Sequence, residues 1–232
     1  MVSHGQSTLV TKLLSDLDKL EWHDFEVIVT SNVPENTSVY LGRSYPVKVI
    51  ENAEQKGFGA NHNAAFSFGR GHYFAILNPD IRIPTLNIDH LINIFDRADV
   101  GAVAPVILST NGTIEDSARR FPTATRLMRR VFLRQRQPDY LWGSVPIEVD
   151  WVGGMFVLFR PEAFNALNGF DVKRFFMYME DVDICERLWR NGWAVMLQPQ
   201  VNVIHDAQRA SHRNIKHLRW HLVSAIRYLT NL

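Results

Sequence analysis

Asp80 stands where a sequence could place a cation-binding carboxylate. It follows an apolar run and Pro79, which cannot continue a central strand, so the chain must leave the sheet at this point. We therefore predict Asp80 at the carboxyl edge of a sheet, where it could hold a hard divalent cation that bridges two phosphates. The alternative is that Asn78-Pro79-Asp80 is a turn, chosen for turn chemistry alone.

A second group of acids, Glu180, Asp181 and Asp183, falls within four residues at the start of a predicted helix. Glu180 and Asp183 share a helical face, whereas Asp181 and Asp183 point in different directions. One carboxylate directed into a cleft could act as a general base, and the preceding apolar run 175–179 could raise its pKa. The alternative is that these acids only stabilise the helix N-terminus.

A glycine-rich turn, Lys56 to Asn63, also precedes a predicted helix. Its Gly57 and Gly59 half-match a dinucleotide fingerprint, but His62 occupies the place of the third glycine, so we reject a standard NAD site. What remains is a turn whose backbone N–H groups could face phosphates, or a plain tight turn. Among the nine histidines, His205 is best placed for a site because it follows an apolar strand-like run. The others are more typical of surface or hydrogen-bonded histidines.

The strongest local charge signal lies between Ser117 and Gln137, which hold seven arginines and no acid. Arg126, Arg130 and Arg134 recur every four residues and predict the polar face of a basic amphipathic helix. Such a helix is typical of a surface for anionic lipid or phosphate. The alternative is a solvated face whose arginine stems cover the core.

Composition limits the class of protein that carries these groups. The chain has 232 residues, 46% hydrophobic and 21% charged, as in ordinary globular proteins. Its net charge of +1 argues against a general nucleic-acid binder, and its single cysteine excludes an intramolecular disulfide. Neither a secretory signal nor a membrane-spanning run is visible, so we expect a cytosolic protein with a single domain.

Strand-like and helical patterns alternate along the chain. This predicts an α/β protein with a mostly parallel sheet and helices on both faces, with ligands at the carboxyl ends of the strands. The predicted strands are Phe25–Thr30, Val47–Ile50, Tyr73–Leu77, Val100–Ala104 and Ala194–Leu197, and Val152–Phe159 is an apolar run with Gly153 and Gly154 at its start. The predicted helices are Val10–Leu20, Asn61–Phe68, Ile88–Phe95, Glu180–Trp189 and a C-terminal helix with the stripe Ile215, Leu218, Leu222, Ile226 and Leu229.

In their order and spacing these segments resemble the family 2 glycosyltransferases of the Rossmann-like GT-A fold, and most of all the rhamnosyltransferase-like members that assemble bacterial surface polysaccharides. The segments that carry the resemblance are Ser3-His4-Gly5, Lys56–Asn63, Phe74–Asp80, Trp151–Phe164, Asn168–Asp171, Phe175–Trp193 and His205. The resemblance implies one domain over 1–232, with a nucleotide-binding part at about 1–105 and an acceptor and catalytic part at about 106–232.

The resemblance also implies site residues. Asp181 would be the catalytic base, and Asp80 with His205 would hold Mg²⁺ or Mn²⁺ on the donor diphosphate. The residues implied to bind substrate are Ser3, His4 and Asn32 beside the base, Lys56 and Gly57 in the glycine-rich turn, Asn78 in place of a first metal-binding Asp, Gly153 and Gly154 along the sugar, and Glu180 and Asp183, which would orient the acceptor or the helix.

The implied activity is inverting transfer of a sugar from a nucleotide-diphosphate donor, with dTDP-rhamnose favoured and UDP-hexoses open, to a saccharide or polyprenyl-diphosphate-linked acceptor. The protein would work as a peripheral enzyme on the inner face of the cell membrane, through Arg119–Arg136. Two alternatives are a non-catalytic nucleotide-sugar-binding subunit and a sugar nucleotidyltransferase; the latter should show a Gly-rich, Arg-containing loop that Ser3–Leu9 lacks. The sequence departs from the family pattern in two places: only Met1 and Val2 precede Ser3, and Asn32 stands near the place of an expected acid.

Overall fold

Short strands and helices alternate along the chain, as the computed structural model shows for residues 1–123, 125–126, 138–206 and 215–230. The strands are β1 Val2–Ser3, β2 Val27–Ser31, β3 Val47–Glu51, β4 Phe74–Leu77, β5 Ile81–Arg82, β6 Val100–Ser109, β7 Ala118–Arg119, β8 Ile147–Glu148, β9 Trp151–Val152, β10 Phe156–Phe159 and β11 Ala194–His205. The helices are α1 Ser7–Leu17, α2 Phe58–Phe66, α3 Asp89–Ile92, α4 Pro161–Ala166, α5 Glu180–Arg190 and α6 Ile215–Thr230.

The strands form two main sheets. β1, β2 and β3 pair in parallel, and a larger sheet has the order β4-β10-β6-β11-β5, with β8 added on β11. In the larger sheet β6 and β11 form the long parallel ladder, while β10 lies antiparallel between β4 and β6. Among the described residues, more strand residues are paired in parallel than in antiparallel ladders. The predicted α/β class with a mostly parallel sheet is therefore confirmed.

The larger sheet is buried on both faces because its side chains alternate between two hydrophobic clusters. On β10, Phe156 and Leu158 join the cluster that includes α1 and α3, whereas Val157 and Phe159 join the one that includes α4 and α5. Each such burial contributes about 1.5–3 kcal/mol. The sheet therefore forms a rigid middle layer from which the loops at its strand ends project.

Two strands are longer than the sequence predicts. β6 continues past Pro105 to Ser109, and β11 continues past Pro199 to His205. Proline normally ends a central strand because it donates no ladder hydrogen bond. Here the register shifts between the pair Gln198–Pro105 and the pair Asn202–Val106. This bulge lets both strands continue past their prolines.

The remaining differences are local. The apolar run 152–159 contains the turn 153–155 between β9 and β10, and the predicted helix over 88–95 is the short α3 followed by a 3-10 turn, Asn93–Asp96. The predicted arginine helix lies outside the described residues apart from Arg126. The division of the domain near residue 105 stays a prediction; β6 runs across that position.

Candidate active site

Asp80 and His205 meet at the edge of the larger sheet. Asp80 lies in the tight connection between β4 and β5, and His205 is the last residue of β11. His205 Nε2 lies 3.1 Å from Asp80 Oδ2, and His205 Nδ1 lies 2.8 Å from Glu115 Oε2. The hydrogen bond with Asp80, helped by Glu115, raises the pKa of His205 to about 9, although partial burial opposes this. No motif in the sequence marks Glu115 as a site residue.

The Asp80 site has the donor atoms that a hard cation needs. Asp80 Oδ1 is buried and has no hydrogen-bond partner among the described residues. Glu115 contacts Nδ1 of His205, so the other ring nitrogen, Nε2, is directed at Asp80. A carboxylate orients a metal-binding histidine in the same way. No three His, Cys, Asp or Glu side chains in the described part of the chain form a complete metal cluster. Mg²⁺ is commonly held by one or two carboxylates plus substrate phosphates, so these residues fit a site that the donor completes.

Asp181 lies in the first turn of α5 and is held by backbone groups. The Val182 N–H donates to its Oδ1 at 2.9 Å, and the Gly154 N–H donates to its Oδ2 at 3.3 Å. It is partly exposed, whereas its neighbours Glu180 and Asp183 are buried. Burial raises the pKa of Asp181, opposed by the two backbone bonds and by the positive charge of Arg119. Of the three acids, Asp181 is therefore the one that an acceptor could reach.

Glu180 is more deeply enclosed than Asp181. Only 6% of its surface is exposed, and its Oε2 has no hydrogen-bond partner among the described residues. Burial, and then the negative charge of Asp181, raise the pKa of Glu180 to about 8. The pKa values of Glu180 and Asp181 are thus both raised, and the two carboxyl groups titrate as a pair.

Asp183 is engaged by two arginines. Arg174 donates to its Oδ1 at 3.1 Å and Arg187 donates to its Oδ2 at 2.7 Å. Arg187 also donates to the carbonyls of Leu167 and Gly169. Of the two roles implied for Asp183, orienting the acceptor and orienting the helix, this geometry fits the second.

The segment before α5 is strained. Tyr178 and Met179 have φ angles of 70° and 67°, in the left-handed region that costs a non-glycine residue about 1–3 kcal/mol. Its neighbours hold it there: the Phe58 N–H donates to the Phe176 carbonyl at 3.0 Å, and Ser224 Oγ donates to the Met177 carbonyl at 2.8 Å. This acceptor-side segment, residues 174–179, is thus fixed by both α2 and α6.

Glycines allow close approach at Phe176 and beside Asp181. A Cβ on Gly57, which is buried, would collide with the Phe176 carbonyl. A Cβ on Gly154 would lie 3.0 Å from the Phe58 ring and 3.8 Å from Asp181 Cβ. These two glycines therefore have a packing role beside the substrate contacts that the resemblance implies.

The glycine turn, Gly153 to Met155, connects the two acidic sites. At one end the N–H of Asn78, which lies two residues before Asp80 in the chain, donates to the Met155 carbonyl at 2.9 Å. At the other end Gly154 donates to Asp181, as described above. The structure thus brings the predicted metal-binding and catalytic residues to opposite sides of one turn.

Asn32 organises the ends of β1, β2 and β3. It is buried; its Oδ1 accepts from the Lys56 N–H at 2.9 Å and from Asn52 Nδ2 at 2.8 Å. Its Nδ2 lies 2.8 Å from the Lys56 carbonyl and 2.9 Å from His4 Nδ1. His4 and Lys56 are exposed at this edge and could contact a nucleotide.

Ser3 is fully buried, and its Oγ donates to Glu35 Oε2 at 2.9 Å and accepts from the Gln6 N–H at 3.1 Å. Glu35 is an acid that the sequence reasoning missed. It follows β2 by four residues and has a second oxygen, Oε1, that is buried without a hydrogen-bond partner among the described residues. The signal in the sequence that could have identified Glu35 is its position shortly after β2.

The sheet order and the residues gathered at its edge define the class of protein, a GT-A glycosyltransferase fold. The mannosyltransferase PcManGT from Pyrobaculum calidifontis, solved with GDP-Man and Mn²⁺, matches with a TM-score of 0.60 and 17% identity, over 97% of this chain and 62% of its own. TarS 1–349 from S. aureus, solved with UDP-GlcNAc, matches with a TM-score of 0.63 and 14% identity, over 91% and 58%.

The family follows from the sequence. The family model described as Glycosyl transferase family 2 matches residues 1–158, and the chain belongs to that family. N-acetylglucosaminyl-diphospho-decaprenol L-rhamnosyltransferase from Mycobacterium tuberculosis is 32% identical over 167 residues, which are 67% of this chain and 54% of that protein. This chain thus spans about half the length of that relative. Rhamnosyltransferase WbbL from Escherichia coli K12 is 29% identical over 99% of this chain and 90% of its own length.

Proposed function

We propose that the protein is an inverting glycosyltransferase that moves a sugar, of which rhamnose is the favoured case, from a nucleoside-diphosphate donor to an acceptor hydroxyl in bacterial surface polysaccharide synthesis. The proposal rests on one observation: Asp80 with His205 lies on one side of the glycine turn, and Asp181 lies on the other. Two relatives named rhamnosyltransferases support the sugar, and dTDP-rhamnose is the proposed donor.

The chemistry divides between the two sides of the turn. Asp181 in its ionised form removes the proton from the acceptor hydroxyl, which attacks the anomeric carbon while the nucleoside diphosphate leaves from the opposite face. A divalent cation held by Asp80 and His205, Mg²⁺ or Mn²⁺, would neutralise charge on the leaving diphosphate. Gly153 and Gly154 keep the turn free of side chains beside the sugar, and Asn32 positions His4 and Lys56 for the nucleotide.

We propose a saccharide or polyprenyl-diphosphate-linked acceptor and a location on the inner face of the cell membrane. The name of the mycobacterial relative, which acts on a diphospho-decaprenol, supports a lipid-linked acceptor. In the arginine segment, Arg119 pairs with Asp116, Arg120 lies over Tyr140, and Arg126 donates to the Phe121 carbonyl. The rest of Arg119–Arg136, from 127 on, lies outside the described residues, and its membrane contact is part of the proposal.

Two substitutions separate the two proposed sites. With a panel of nucleotide sugars and Mg²⁺ or Mn²⁺, Asp181→Asn should bind donor within about threefold of wild type and lose at least about 100-fold in transfer, because only the base is removed. Asp80→Asn should lose the metal-dependent part of donor binding, as should wild type in EDTA. Calorimetry measures binding, and released nucleoside diphosphate measures transfer.

Glu162→Gln, an exposed carboxylate on α4, is the matched control and should behave as wild type. Near-normal turnover by Asp181→Asn would place the base elsewhere, and unchanged metal dependence in Asp80→Asn would make Asp80 a turn residue only. Donor binding without transfer by wild type would favour a non-catalytic binding subunit. Pyrophosphate released from a nucleoside triphosphate and a sugar phosphate would favour a nucleotidyltransferase.

A further inference from the structure

The C-terminal helix α6 turns an apolar stripe outward. Leu222, Ile226 and Leu229, three members of the stripe seen in the sequence, are 60%, 49% and 42% exposed. Ser224 and Tyr228, on the other side of the helix, are buried. A stripe of this kind normally faces a core. In α6 it is the opposite side that packs on the body of the protein.

The segment that carries the stripe is positively charged. Arg219 and Arg227 are exposed on the same helix. From residue 207 to 232 the sequence contains five Lys and Arg residues and no acid. An outward apolar stripe within a cationic segment is the pattern of helices that lie in the interface of an anionic bilayer.

We propose that the outer face of α6, formed by Leu222, Ile226 and Leu229, docks on an anionic membrane surface with the helix lying along it. Sixteen residues give a helix about 24 Å long, short of the roughly 30 Å hydrocarbon core. Among the described residues, no helix is long and apolar enough to cross a membrane. A second copy of the chain would bring two cationic helices together, and their repulsion favours the anionic surface.

Docking through α6 would place the acceptor side of the site next to the lipid. The inner face of α6 holds the acceptor-side segment: Ser224 donates to the Met177 carbonyl, and Arg174 and Arg227 each donate to the other's carbonyl, at 3.1 and 2.8 Å. Asp181 lies two residues beyond the end of that segment. The benefit to catalysis rests on the proposed function, since a lipid-linked acceptor would enter from the bilayer; the contact itself rests on the helix.

Vesicle sedimentation tests the contact. The full chain is incubated with vesicles of equal parts phosphatidylglycerol and phosphatidylcholine, or of phosphatidylcholine alone. We expect wild type to bind the anionic vesicles, and the combined variant Leu222→Gln, Ile226→Gln and Leu229→Gln to lose about tenfold or more in partitioning. The matched control replaces three exposed apolar residues of the N-terminal half, Val39, Leu41 and Phe68, with Gln and should bind as wild type.

The proposal would be overturned if wild type did not bind anionic vesicles, or if the helix variant bound them as wild type does. It would also be overturned if wild type were a dimer and the helix variant a monomer, because the outer face would then contact a second copy of the chain. Thermal unfolding and donor binding, both unchanged in the helix variant, exclude a folding defect. The two proposals fail separately. Vesicle binding by a wild type that binds no donor would refute the proposed function alone, and donor turnover without vesicle binding would refute the docking alone.

Discussion

Glu180 and Asp181 are neighbours in the chain, but their surroundings differ. Oε2 of Glu180 is buried without a hydrogen-bond partner among the described residues, whereas Asp181 receives two backbone N–H groups. Hydrogen bonds to a carboxylate favour its ionised form, and burial without them favours the neutral acid. Burial, and then the negative charge of Asp181, keep a proton on Glu180 up to a pKa of about 8.

This proton predicts a pH dependence of stability. An unfolded Glu loses its proton near pH 4.3, while folded Glu180 keeps it to about pH 8, so the folded state binds more protons between these values. Stability then falls as pH rises through that window, by at most about 1.4 kcal/mol per pH unit. Glu180→Gln cannot ionise and should show a shallower decline in urea unfolding from pH 5 to 8. An equally steep decline would contradict this, and Glu162→Gln should keep the wild-type slope.

Residue types were readable from the sequence, but their surroundings were not. The acids near the ends of predicted strands and helices could be identified because turn and helix-start chemistry is local. Burial is decided by distant segments: Ser3 is enclosed by Glu35 and Tyr40, and Asp183 is paired by Arg174 and Arg187. No local pattern distinguishes these from Asp181, whose partner Gly154 is 27 residues away.

At the level of elements, the acceptor-side segment 174–179 depends on the start of α2. Gly57 precedes that helix, and the next residue, Phe58, donates its N–H to the Phe176 carbonyl. The left-handed Tyr178 and Met179 persist only because such contacts outweigh their strain. A disturbance at Gly57 therefore reaches the segment that leads into Asp181.

Gly57→Ala should destabilise the fold by about 1–3 kcal/mol and lower turnover, because the new Cβ would displace the Phe176 carbonyl. Urea unfolding and the transfer assay measure the two effects. The control is Gly143→Ala, where nothing lies within 4 Å of the added carbon, and it should be close to neutral. If the two substitutions have equal effects, the close approach at Gly57 is not important.

Across the whole molecule, Asp16 and Arg82 tie α1, which covers the first sheet, to β5 of the larger sheet. Asp16 accepts from Arg82 Nε at 2.6 Å and Nη2 at 2.7 Å, and from the Ile83 N–H at 3.2 Å. Burial alone would raise the pKa of Asp16, but the hydrogen bonds from Arg82 and Ile83 lower it. The connection is therefore strongest when Asp16 is ionised.

Asp16→Asn should lower the free energy of unfolding by about 1.5–3 kcal/mol at pH 7, the range for hydrogen bonds to charged groups. Because the folded pKa is depressed, this contribution is present above the ordinary value near 3.9 and is lost as pH falls through the folded pKa. The gap between wild type and variant should therefore close in acid. Urea titrations at pH 7 and pH 3 measure this difference in unfolding free energy, and Asp24→Asn, at an exposed residue, is the control. A difference of the same size at both pH values would argue against the ion pair.

Fold class could be predicted for the whole molecule because the alternation of strands and helices repeats along the chain, and one misplaced boundary does not change it. Strand lengths could not, since β6 and β11 pass their prolines only by a bulge that needs both strands in place. The outward direction of the apolar stripe of α6 could not be predicted either. Periodicity shows that a helix has an apolar side, but not which side the rest of the molecule covers.

The way Asp181 is held has a consequence for how such a protein can diversify. Its two hydrogen bonds come from backbone N–H groups, and those remain when side chains are exchanged. Residues around the proposed acceptor site can therefore be replaced over evolutionary time while Asp181, the proposed base, keeps its orientation, which leaves one scaffold open to many acceptors. Gly154 is the exception, because any side chain there would press on Phe58 and move the N–H that orients Asp181.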